Sequence, residues 1–175
     1  MQIIYEGEPI GTNRKPGDVG FDIKANEDTV VMPWSRVIVK SGNKVALPYS
    51  IEEQVRPRSG FSAKGIEGLI LVPERKLCKQ WKDENGLYHV ENVYRIHSDE
   101  PINMNADVKI GTVDPDYTDQ IGMIVESQDP HPFLITKGTR LAQGVFNEVV
   151  IPELVKGMVE KNDNRDGGFG SSGSR

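Results

Sequence analysis

The sequence predicts an all-β domain of jelly-roll type. Eighteen glycines and eleven prolines punctuate the chain. The runs between them are short, β-branched and alternating, the pattern of half-buried strands. No long segment carries a 3.6-residue apolar period. Many short strands separated by turn residues pack most readily as a jelly roll or a closed barrel.

In chain order the expected strands begin with Gln2–Tyr5 and Phe21–Ala25, the second alternating Phe21, Ile23 and Ala25 with Asp22 and Lys24. Thr29–Met32 and Arg36–Lys40 are β-branched. Lys44–Leu47 follows Ser41, Gly42 and Asn43, which read as a hairpin turn. Glu53–Pro57 leads into Ser59–Gly65, the one short helix expected. Gly68–Val72, Val108–Thr112, Gln120–Glu126 and Ala142–Val150 complete the set. Residues 1–160 form one β domain. An arm at about 73–104 is inserted in it, reading as strand, turn at Glu84–Gly86 and strand, and carrying Cys78, Trp81, Tyr88 and Tyr94. Residues 161–175 are polar and glycine-rich, the composition of a flexible lid.

Bulk properties narrow the function. At 175 residues the chain buries a sizeable core in one domain. A net charge of −5 argues against general nucleic-acid binding. Any phosphate site must then be made locally positive by a few arginines and backbone amides. The single cysteine cannot form an internal disulfide, which suits a reducing compartment. The opening MQIIYEGEPIG has neither the basic region nor the apolar run of a signal peptide. No apolar stretch approaches the roughly 20 residues of a membrane helix. The expectation is a cytoplasmic protein without membrane or nucleic-acid partners. His89, His97 and His131 are scattered without metal-ligand spacing, which argues against a zinc hydrolase.

Five segments carry candidate chemistry. GFDIKA at 20–25 sets Asp22 in an apolar strand start, where it is either a turn aspartate or a carboxylate holding Mg²⁺ through water. RPRSGFSAKG at 56–65 offers the Arg58 guanidinium, the Ser59 hydroxyl and the unobstructed Gly60 amide, all suited to phosphate oxygens, or else a turn with a surface arginine. It is not a P-loop. GTVDPDYTDQI at 111–121 packs Asp114, Asp116 and Tyr117 together, as an aspartate-rich turn or as a base for water beside a ring that packs on a sugar. KGTRLAQGVF at 137–146 places Arg140 and Gln143 at a strand start, where a plain strand edge is the alternative. NRDGGFGSSG at 164–173 embeds Phe169 in glycines and serines near Arg165, as a floppy terminus or as a wrap for an anion and a base.

In this order the five segments resemble the motifs of the homotrimeric dUTPase family, from about Gly20 to Gly173 apart from the arm. The family hydrolyses dUTP to dUMP and pyrophosphate, which keeps uracil out of DNA. Its fold is a β jelly roll whose three subunits build three shared sites. The resemblance implies that Asp114 is the base for water attack on the α-phosphorus. It implies that Tyr117 lies against the deoxyribose and that backbone groups of Val108, Gly111, Thr112 and Val113 read uracil. Arg58, Ser59 and Gly60 would hold the phosphate chain from a neighbouring subunit, and Gln143 would add a phosphate contact. Phe169 and Gly170 would close over the base, with Arg165, Ser171 and Ser172 on the terminal phosphates. Asp22 would position the water shell of Mg²⁺, the implied cofactor. The resemblance is to phage and bacterial members with an insertion between the second and third motifs, which implies action in the host cytoplasm and a protein partner for the arm. The chain departs from the family pattern in three places. Asp119 stands where a glycine is usual, Arg165 is one residue nearer Phe169, and the second and third motifs are roughly 35 to 40 residues further apart than usual, beyond the length of a structureless loop. Val108 also stands where some members use asparagine. The alternatives are a dCTP deaminase-like enzyme and a nucleotide-gated regulatory protein acting through the arm.

Overall fold

A computed structural model describes residues 2–11 and 14–158. Its strands are β1 (Ile4–Glu6), β2 (Phe21–Lys24), β3 (Thr29–Val31), β4 (Arg36–Lys40), β5 (Lys44–Ala46) and β6 (Ile51–Pro57). After the short helix α1 (Ser59–Lys64) come β7 (Ile66–Pro73), β8 (Lys79–Lys82), β9 (Tyr88–Glu91), β10 (Tyr94–Ile96) and β11 (Ile102–Met104). The series ends with β12 (Ala106–Lys109), β13 (Gly111–Val113), β14 (Gly122–Ser127), β15 (Phe133–Ile135) and β16 (Arg140–Glu148). The all-β expectation holds, with α1 where a helix was expected.

Three sheets enclose the core. One runs β10-β7-β15-β3 with β11 also on β7, a second β12-β14-β4, and a third β13-β6-β16-β2. Strand alternation builds the interior. In β6, Ile51, Glu53 and Val55 point inward while Glu52, Gln54 and Arg56 are partly exposed. In β14, Met123, Val125 and Ser127 point inward. Phe133, Ile66, Met104, Met123, Ile135 and Leu141 are fully buried at the centre. Each large apolar side chain contributes about 1.5–3 kcal/mol by leaving water.

Two expectations change. Ser41, Gly42 and Asn43 do not make a hairpin: β4 pairs with β14, and β5 pairs with β1. The segment is stitched to the chain near Ile121 instead. Ser41 N–H donates to the Ile121 carbonyl at 3.0 Å, and Ile121 N–H donates to the Asn43 carbonyl at 2.8 Å. Gly42, at φ 75°, supplies the left-handed turn. The expected strand Val108–Thr112 is two strands. β12 lies on β14 and β13 lies on β6, so the chain changes sheet at the exposed Ile110. β11 and β15 did not show in the sequence: each is three residues long and directly follows a proline, Pro101 or Pro132, which reads as a turn.

The arm folds as a hairpin in which β8 pairs with β9, with Trp81 opposite His89. Their rings stack at 5.3 Å, and Asp83 Oδ2 lies 3.0 Å from His89 Nε2.

Candidate active site

The third sheet positions most of the candidate residues. Its β6 and β16 are antiparallel neighbours, with Gln143 opposite Arg56 and Ala142 opposite Pro57. On the other side β16 carries β2, with Gln143 opposite Asp22. Arg56, Gln143 and Asp22 therefore stand in one row on one face. A register shift between Arg140 and Ala142 brings Arg140 opposite Lys24.

A cleft of about 700 Å³ opens over this face. Asp22, Arg58, Ser59, Gly60 and Gln143 all line it. Arg58 sits at the turn from β6 into α1 with extended backbone. Its Nε is 3.2 Å from Asp22 Oδ1, and its Nη1 donates to the Arg140 carbonyl at 3.1 Å. Arg140 Nη1 reaches Asp22 Oδ2 at 3.2 Å. Asp22 thus locks two arginines in place. Gln143 Nε2 donates to the Pro57 carbonyl at 3.4 Å, while its side chain lies against Gly20, where a Cβ would come within 2.5 Å of Oε1. Ser59 and Gly60 are exposed, and nothing stands within 4 Å of where a Gly60 Cβ would be. Their polar groups are open to a ligand.

The cleft answers the charge problem posed by an acidic chain. Arg14, Lys15, Lys24, Arg56, Arg58, Lys64 and Arg140 line it, against three carboxylates, Asp18, Asp22 and Glu67. Such a cleft attracts a polyanion. Sequence reasoning missed Arg14, Lys15, Lys24, Arg56 and Lys64 as lining residues, and it noted Arg140 without a role. They meet only in the fold, from β2, β6 and β16, the loop before β2 and the helix α1.

The remaining candidates lie elsewhere in the subunit. Asp114 is exposed at the turn after β13, and its carbonyl accepts the Tyr117 N–H at 3.0 Å. The Tyr117 hydroxyl donates to the Gln120 carbonyl at 2.9 Å, which ties the ring across the turn. Gly111, Thr112 and Val113 form β13. The Val108 side chain is buried in the core, so only its backbone is available to a base. β13 runs antiparallel to β6 with Val113 opposite Glu53, so Asp114 faces the start of β6 while Arg58 follows its end. At about 3.3 Å per residue the separation is roughly 20 Å. None of Val108, Gly111, Thr112, Val113, Asp114 or Tyr117 lines the cleft. Arg165, Phe169, Gly170, Ser171 and Ser172 lie outside the described residues.

Among the described residues no group of three His, Cys, Asp or Glu side chains forms a metal cage. Asp22, tied to two guanidiniums, fits Mg²⁺ only as an outer partner. That is the arrangement of an ion held mainly by substrate phosphates and water. No helix of the described residues is long and apolar enough to cross a membrane.

A deoxyuridine 5'-triphosphate nucleotidohydrolase from Corynebacterium glutamicum is 31% identical over 94% of this chain and 87% of its own. The dUTPase of Staphylococcus bacteriophage 80alpha, as a point mutant with dUpNHpp, superposes with a TM-score of 0.67 at 18% identity, covering 98% of both chains. The dUTPase from phage phi11 of S. aureus, whose structure visualizes a species-specific insert, gives 0.63 at 16% identity over 94% of this chain and 99% of its own. The dUTPase family model matches residues 8–77 and 102–173, leaving the β8–β9 hairpin and β10 unmatched. With most of its length matched, and with its fold shared, the chain belongs to the dUTPase family.

Proposed function

We propose that the active site forms between subunits, with the phosphate cleft of one copy facing the Asp114 turn of another. dUTP hydrolysis is the activity that family membership gives this chain, as a dUTP diphosphatase. One observation carries the reading of a shared site. The candidate phosphate residues and the candidate base stand at opposite ends of β6, roughly 20 Å apart. A single bound nucleotide cannot engage both within one subunit. A homotrimer in which each site borrows from its neighbour satisfies the constraint.

In this site Asp114 takes a proton from the water that attacks the α-phosphorus. The Tyr117 ring, held by its bond to Gln120, lies against the deoxyribose. Backbone groups of Val108 and Gly111–Val113 read the uracil edge, and a cytosine there leaves buried polar groups unpaired. Arg58, Ser59, Gly60 and Gln143 hold the phosphate chain in line. Mg²⁺ on the phosphate oxygens would neutralise charge, with Asp22 holding part of its water shell. Residues 161–175, with Arg165, Phe169, Gly170, Ser171 and Ser172, close the site and exclude bulk water. The arm, whose Leu87, Tyr88 and Val90 are more than half exposed, serves as an interaction element for another protein.

Pyrophosphate release from dUTP, dCTP, dTTP and UTP, with and without Mg²⁺, tests the reading. Release from dUTP alone, dependent on Mg²⁺, is expected. Ammonia release from dCTP would point instead to deaminase chemistry. Deleting residues 166–175 is expected to lower turnover sharply while the trimer persists in light scattering. An unchanged rate would overturn the lid.

A further inference from the structure

We propose that Arg14 is a further phosphate-binding residue of the cleft, one that grips the pyrophosphate end of the substrate. The proposal rests on the dUTP reading above and adds a residue outside the five sequence segments.

Arg14 lines the cleft together with Arg58, Ser59 and Gln143. Its guanidinium stands over the Phe21 ring, 4.9 Å from the centroid. Held over a ring face, a guanidinium keeps N–H groups available to oxygen acceptors. The loop is built to hold this pose. Gly11 lies so close to Phe21 that a Cβ would come within 2.8 Å of the ring. Arg14 N–H donates to the Gly11 carbonyl at 3.0 Å, and Lys15 N–H donates to Asp18 Oδ2 at 2.8 Å. Phe21 in turn follows Gly20, against which the Gln143 side chain packs. Arg14 is therefore joined through one aromatic ring to the strand that carries Asp22.

The charge pattern selects Arg14 among the arginines. Arg58 and Arg140 share the Asp22 carboxylate. Arg56 directs its fork to Gln54 Oε1, at 2.9 Å and 2.6 Å. Arg14 alone among the cleft's arginines has no side-chain acceptor among the described residues. A guanidinium with no side-chain acceptor among the described residues is of most use where negative charge is densest. In a nucleoside triphosphate that is the β- and γ-phosphates, which gain further charge as the bond to the α-phosphorus breaks.

Calorimetry of pyrophosphate and dUMP binding in metal-free buffer tests the assignment. The wild type is compared with Arg14→Gln, with Arg14→Lys and with Lys82→Gln, which removes a distant charge on the arm. Arg14→Gln is expected to weaken pyrophosphate about tenfold or more, as loss of a charge-assisted hydrogen bond does, and to leave dUMP unchanged. Lys82→Gln is expected to match the wild type. Arg14→Lys, which keeps charge but not the fork, is expected to fall between, and it serves as the readout if Arg14→Gln fails to fold. Equal pyrophosphate affinity in the wild type and the Arg14 variants, or an equal loss for dUMP, would overturn the proposal. A wild type that binds pyrophosphate through Arg14 yet leaves dUTP intact would sink the reading of the reaction and leave the Arg14 assignment standing.

Discussion

Among the described residues, Glu53 is the carboxylate that the core holds with an unpartnered oxygen. It is 3% exposed, its Oε2 has no hydrogen bond, and a Cβ on Gly144 would overlap its carboxylate. Burial pushes its pKa up to about 7. The folded chain therefore holds this proton where the unfolded chain has released it. Stability from this group is fully present below about pH 4.5 and is lost as pH rises through about 7, by about 3 kcal/mol in all. Glu53→Gln is expected to be more stable than the wild type at pH 8 and to lose that advantage by pH 4.5, in urea unfolding at both pH values. The catalytic prediction also belongs to single residues. Asp114→Asn is expected to cut turnover by roughly 100-fold or more with dUTP affinity largely kept, in single-turnover kinetics and calorimetry. The sequence pointed to Asp22, Arg58, Ser59, Gly60 and Gln143 through hydroxyls, glycines and charges in short segments, and the cleft gathers all five. It did not point to Arg14, because an isolated arginine in a loop carries no pattern. Nor did it mark Glu53, because strand alternation shows which way a side chain points but not whether its charge finds a partner.

At the scale of elements, β-branched runs and bounding turns located most strands to within one or two residues. The errors came where a tertiary contact outweighed the local signal. Ser41–Asn43 has hairpin chemistry, yet hydrogen bonds to Ile121 claim it, and β4 and β5 part to different sheets. The break at Ile110 is equally silent, since an apolar residue between strands resembles one within a strand. The arm was legible as strand, turn and strand, and its turn has an identifiable anchor. Asp83 Oδ1 accepts the N–H groups of Asn85 and Leu87 at 2.9 Å each, and Oδ2 meets His89. The His89 hydrogen bond, then the Leu87 N–H, holds the Asp83 carboxyl below its usual range. That support is present above the ordinary carboxylate pKa and is lost as pH falls through the lowered one. Asp83→Ala is expected to loosen the hairpin and shift Trp81 emission to the red in a Trp34→Phe background, while pyrophosphate release from dUTP stays at the wild-type rate. A matching loss of activity would tie the arm to catalysis.

At the scale of the whole molecule, the proposed shared site makes one subunit an incomplete enzyme. The family resemblance implied shared sites, but residue spacing alone does not, because the separation of residues 58 and 114 along the chain says nothing of their distance in space. The antiparallel register of β13 on β6 does, since it sends Asp114 away from Arg58. The most direct measurement of the shared site mixes two inactive variants. Arg58→Gln and Asp114→Asn subunits are denatured together, refolded at equal concentration and assayed for pyrophosphate release from dUTP. Mixed trimers that pair an intact Asp114 turn with a neighbour's intact cleft are expected to recover about a quarter of wild-type activity, as random assembly of shared sites requires. A mixture that assembles as trimers yet stays as inactive as either variant alone would contradict the shared site.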